Sequence, residues 1–66
     1  MSIAKVIEVI AEGKSIEEAL ESGVKEVSKS VRGIKSIYAE GIQAIVKDGK
    51  ITKYRVNAKV TFIVGD

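Results

Sequence analysis

The chain carries no cysteine and no histidine. That removes the thiol nucleophile and the imidazole base that enzymes use most, and with them the soft ligands of a structural zinc. What remains for chemistry is 9 carboxylates, 11 lysines and arginines, and 2 tyrosines. No nucleophile–base constellation can be assembled from these, so the residues predict a protein that is not an enzyme. Glu8, Glu12, Glu40 and Asp48 are the carboxylates a hard cation would use. Calcium takes about 6–8 oxygens, and no Asp-rich loop supplies them. An ion site would therefore need carboxylates from several subunits on a symmetry axis, and no metal site is expected within one chain. Lys53, Arg55 and Lys59 recur on one face of a strand, with Lys35, Lys47 and Lys50 near them. Such a stripe can meet phosphates, but the aromatic platforms of single-strand binders are missing and the net charge is only +2, so nucleic acid is not an expected partner. A solvated edge or a salt-bridged subunit contact is the plainer account. Tyr38 and Tyr54 suit cross-strand packing before ring stacking. Gly13, Gly33 and Gly49 are isolated, with no phosphate-loop spacing.

The elements that hold these residues follow from periodicity. Ile3 to Ala11 reads as a strand rich in β-branched residues, with apolar side chains on both faces. Glu12-Gly13-Lys14 is a turn. Ser15 opens a helix as its N-cap, with Glu18 completing a capping box. Ile16, Ala19, Leu20, Gly23, Val24, Val27 and Val31 form one stripe at a period of about 3.6. Acidic residues lead this helix, Lys25, Lys29 and Arg32 fall late, and Gly33 stands as its C′ residue. Ile34 to Lys47 reads as a long strand whose apolar residues fall on mixed faces, with Gly41 marking a bulge or bend. Asp48-Gly49 signals a hairpin, and Ile51 to Val64 alternates cleanly, its even positions apolar from Tyr54 onward. The hairpin register stays open between a two-residue turn and a three-residue turn with a bulge.

The order is β-α-β-β. Placing the third strand between the other two makes every neighbour antiparallel, so the expected class is α+β: a three-stranded antiparallel sheet packed on one helix, as a single domain over 1–66. With 45% hydrophobic and 30% charged residues the composition is globular. A chain of 66 residues buries only about 60% of its unfolded surface, which leaves a lone monomer marginal. Disulfides and zinc are excluded, so assembly is the remaining source of stability. One helix covers one sheet face, and the other face, with the apolar outer side of the first two strands, is expected to be bare and to serve as an oligomer interface. No apolar run approaches the ~18 residues of a membrane span. The opening Ser2-Ile3-Ala4-Lys5-Val6 has no signal-peptide architecture, so the expected location is cytoplasmic.

Several stretches together resemble the dodecin family. They are Lys5-Val6-Ile7-Glu8-Val9-Ile10, the Gly13-Lys14-Ser15 turn, the bent strand from Ile34, and Tyr54-Arg55-Val56-Asn57-Ala58-Lys59-Val60-Thr61-Phe62. The resemblance implies a hollow homododecameric shell that binds or stores a flavin, either riboflavin or FMN. It also implies where this chain departs from the family. The tryptophan that stacks on the flavin ring falls on Ser36, and the glutamine that follows the third-strand tyrosine falls on Arg55. A polar or basic second-strand residue near the pocket falls on Ile45. Ser36, Tyr38, Gln43, Ile45 and Arg55 are thus the candidate ligand-binding residues between subunits. The alternative implied by relatives that lack the tryptophan is a structural or calcium-type ion-binding assembly with no flavin.

Overall fold

The computed structural model describes residues 2–65; residues 1 and 66 of the expected domain lie outside them. Strand β1 spans Ile3–Gly13, helix α1 Ile16–Val27, β2 Ile34–Lys47 and β3 Lys50–Val64. The sheet order is β1-β3-β2 and both pairings are antiparallel, the arrangement expected from the element order.

The helix starts where its capping residues predict. The Glu18 amide donates to Ser15 Oγ at 3.0 Å, and the Glu18 carboxylate accepts from the Lys14 amide at 2.9 Å. The second bond reaches one residue further back than in a standard capping box. Gly13 makes this start possible. A Cβ there would stand 2.6 Å from the Ala19 nitrogen, so only glycine lets the strand end lie against the helix backbone.

The helix ends six residues before Gly33, which corrects the expectation that the stripe runs through Val31. Ser28 Oγ donates to the Lys25 carbonyl at 2.7 Å, and Lys29 and Ser30 bond back three residues rather than four. A serine hydroxyl competing for a backbone carbonyl tightens and stops the last turn. Gly33 is a strand bracket instead of a helix cap. Its φ is +77°, its carbonyl accepts from the Ile63 amide at 3.0 Å, and a Cβ would stand 2.9 Å from the Ile63 oxygen.

The hairpin register is settled by Lys47 facing Lys50, which leaves a two-residue turn. Asp48 and Gly49 both have positive φ, 53° and 76°, as a type I′ turn requires. Three register shifts interrupt the β2–β3 ladder, between Ile34 and Ser36, Ala39 and Gly41, and Ile45 and Val46. Each leaves one unpaired residue: Lys35 and Glu40 on β2, and Thr52 on β3. Because strand side chains alternate, each extra residue reverses which positions point to the helix. On β2 these are Ile37 and Ala39 before Glu40, then Ile42 and Ala44 after it, opposite Val56 and Tyr54. The mixed faces seen in the sequence are this reversal.

The core lies between α1 and the sheet. Ala19 from the helix packs with Ala11, Val56 and Ala58, with Val9, Leu20, Ile37 and Ala39 around them, and Val27, Val60 and Phe62 are buried as well. Small side chains at Ala11, Ala19, Gly23 and Ala58 bring the helix close. The helix lies mainly over β1 and β3, and the β2–β3 hairpin runs on past it, giving a molecule of 51 × 19 × 14 Å.

Candidate functional site

The sheet face away from the helix holds all five candidate binding residues. Cross-strand register orders this face into rows: Val6, Thr61 and Ser36; Glu8, Lys59 and Tyr38; Ile10, Asn57 and Gly41; Glu12, Arg55 and Gln43; then Lys53 and Ile45. This corrects the expectation of a bare apolar face. Apolar Val6 and Ile10 are present, and Ile63 faces Ala4 beyond the first row, but from Lys53 to Thr61 β3 contributes only polar side chains to this face.

Two ion-pair groups cross the face. Glu12 accepts from Lys53 Nζ at 2.9 Å and from Arg55 Nε at 2.8 Å. These bonds, Lys53 first and Arg55 second, hold the Glu12 carboxyl below the usual glutamate range. Lys59 Nζ lies 2.9 Å from the carboxylate of the bulged Glu40, which holds the Lys59 ammonium above its ordinary value. Glu8 adds a weaker attraction from the other side. The third row has no bulky side chain at Gly41. There the face dips into a depression of about 300 Å³ lined by Glu8, Val9, Ile10, Glu40, Asn57 and Ala58.

The structure brings Gln43 and Arg55 directly opposite one another, and sets Ile45 one row beyond them. Ser36 and Tyr38 lie on the far side of the Glu40 bulge. At ~3.3 Å per residue, Ser36 and Ile45 are roughly 30 Å apart along β2, so one chain does not gather the five into one pocket. Tyr38 is 65% exposed and presents its ring beside Lys59. Arg55 is already engaged by Glu12, which lowers its freedom to pair with an anion. Among the described residues, no group of three or more acidic side chains is placed to hold a metal ion.

The clamps were legible in part. Glu8 and Glu12 are four apart on β1, and Lys59 and Arg55 are four apart on β3, so antiparallel pairing must align them two by two. The Glu40–Lys59 contact was not legible, because Glu40 reaches it from a bulge.

No helix of the described residues is long and apolar enough to cross a membrane. The Dodecin family profile matches residues 3–65. No curated protein matches the chain. Among solved structures, a mutant of the T. thermophilus dodecin has a TM-score of 0.90 at 16% identity, with 100% of both chains covered. The dodecin from Streptomyces davaonensis has a TM-score of 0.89 at 17% identity, covering 98% of this chain and 97% of that one. The dodecin from Streptomyces coelicolor has a TM-score of 0.89 at 18% identity, covering 98% and 94%. At such identities the structures share the fold, and the family profile, which spans nearly every residue, carries the assignment: the chain belongs to the dodecin family.

Proposed function

We propose that the protein is the non-enzymatic subunit of a hollow homo-oligomeric shell, twelve-membered by family likeness, which takes up a flat small ligand of the flavin class between neighbouring sheet faces in the cytoplasm. The shape of the single chain carries this reading. A compact monomer of 7.1 kDa exposes about 4,100 Å², whereas this chain exposes 4939 Å². Its radius of gyration is 13.6 Å against about 11 Å for a compact domain of this length. The excess is apolar in part, with Ile3, Val6, Ile10, Ile42, Val46 and Ile51 all more than half exposed. Surface of this kind on so small a chain fits subunit contact. The five candidate residues, too far apart to meet within one chain, can converge only across a subunit boundary.

Flavin would bind weakly. Losing a stacked aromatic pair costs about 0.5–1.5 kcal/mol beyond the lost contact, and an unpaired ring edge about 1–3 more. Tyr38 is the ring left to stack. Light scattering at micromolar concentration should give a mass many times that of one chain; a single-chain mass would sink the shell. Titration by fluorescence quenching should show weak riboflavin binding and tighter FMN binding, through Arg55 or Lys59 on the phosphate. The engagement of Arg55 by Glu12 favours a second reading, a structural or ion-binding shell without organic ligand. A colourless protein that quenches neither flavin, with bound calcium found by elemental analysis, would select it.

A further inference from the structure

Beyond the end of β1, which stops opposite Tyr54, the β2–β3 hairpin continues as a two-stranded arm. Its two sides differ sharply. Val46 and Ile51 face one another on the helix side and are 61% and 55% exposed. At the tip Lys47 directly faces Lys50, with Asp48 between them in the turn. Opposed like charges repel, and a two-stranded arm with an apolar side is marginal in water, so the tip is poorly satisfied by its own chain.

A matching surface exists elsewhere on the molecule. The helix leans towards β1, which leaves a groove of about 410 Å³ between α1 and β2. Leu20, Val24 and Ile37 make it almost wholly apolar, and Glu21 and Lys25 rim it. The rim offers one acid and one base; the tip offers two lysines flanking one aspartate. Glu21 suits Lys47 or Lys50, and Lys25 suits Asp48. Glu17, one turn before Glu21, extends the acidic side. The arm cannot fold back into its own groove, because Ile37 lies ten residues from Lys47 along a paired strand, roughly 30 Å away.

We infer that the hairpin tip of one copy seats Val46 and Ile51 in the α1–β2 groove of a second copy. The inference rests on the self-association proposed above and names one contact within it. The contact is head to tail, since tip and groove are different surfaces, so it propagates from subunit to subunit until a ring closes.

The absence of cysteine permits a clean test. A chain carrying both Val24→Cys and Ile51→Cys is oxidised and run on a non-reducing gel, beside the two single variants. The double variant should give a ladder of dimer, trimer and higher bands, and each single variant no band above the dimer. Ile51→Asp should at least halve the assembly mass in light scattering while circular dichroism stays folded. If the unaltered chain assembles but the double variant gives no ladder, the tip lies elsewhere and the inference is overturned, with the shell intact. If the unaltered chain is a monomer, the shell itself fails. Cosedimentation of the tip with phosphatidylserine vesicles, in place of the ladder, would assign it to an anionic lipid surface and likewise overturn the inference.

Discussion

Two residues at the entrance to α1 carry more of the fold than their size suggests. Ser15 satisfies an amide that the helix cannot satisfy itself, and replacing such a cap with alanine costs about 1 kcal/mol. Gly13 has no room for a Cβ against the Ala19 nitrogen at 2.6 Å, and forcing one in costs about 1–3 kcal/mol. Denaturant unfolding should therefore rank Gly13→Ala as more damaging than Ser15→Ala. The reverse order would mean that the strand end can shift away from the helix at little cost. The cap was legible from sequence because Ser15 and Glu18 act within four residues. The role of Gly13 was not, because the atom it avoids belongs to a neighbouring element. Arg55 marks the same boundary at the candidate site. Its place on the open face follows from alternation, whereas its partner Glu12 lies 43 residues away and becomes visible only with the register.

At the scale of elements, β1 and β3 are fastened across the open face by Glu12, and β3 and β2 by Glu40. Glu12 has a carboxyl pKa lower folded than unfolded, so its contribution is present above the unfolded value and is lost as pH falls through the folded one. Lys59 has a raised pKa, so its contribution is present below the unfolded value and is lost as pH rises through the folded one. Melting temperature against pH should fall at the acid end, and Glu12→Gln should flatten that fall. An unchanged acid limb in Glu12→Gln would show that other carboxylates govern it. The pairing order and the helix start could be read from patterning, since hydrophobic period and turn chemistry are local. The helix end could not, because apolar Val31 continues the period while the Ser28 hydroxyl takes a backbone carbonyl and the amides of Lys29 and Ser30 bond back three residues. The open face departs from a wholly apolar one for a related reason: two apolar faces on β1 do not make an apolar sheet when β3, in the centre, brings Lys53, Arg55, Asn57, Lys59 and Thr61 to one side.

For the whole molecule, the proposed shell makes stability a property of the assembly. Anything that binds the folded state raises its apparent stability by mass action, and a second copy is such a ligand. Dilution from high to low micromolar concentration should lower the melting temperature, and the shift should accompany the loss of the large species in light scattering. A melting temperature independent of concentration, with the assembly dissociating well below it, would show that the single chain stands alone despite its extended shape.

The unpaired residue Glu40 gives β2 something like a reading frame. Between the unpaired Lys35 and Glu40 the odd-numbered residues meet the helix side, and downstream of Glu40 the even-numbered ones do. Substitutions along the strand change one contact each and leave the frame alone, which suits a fold kept at 16% identity. Deleting one residue from a regularly paired stretch is a different kind of event. Loss of Gln43 would carry Ala44 and Val46 to the wet face together and bring Ile45 to the other, whereas loss of Glu40 itself would only remove the bulge and leave the later residues facing as they do. Length in this strand is therefore held more tightly than composition, and insertions or deletions belong in the six-residue connection between α1 and β2 instead.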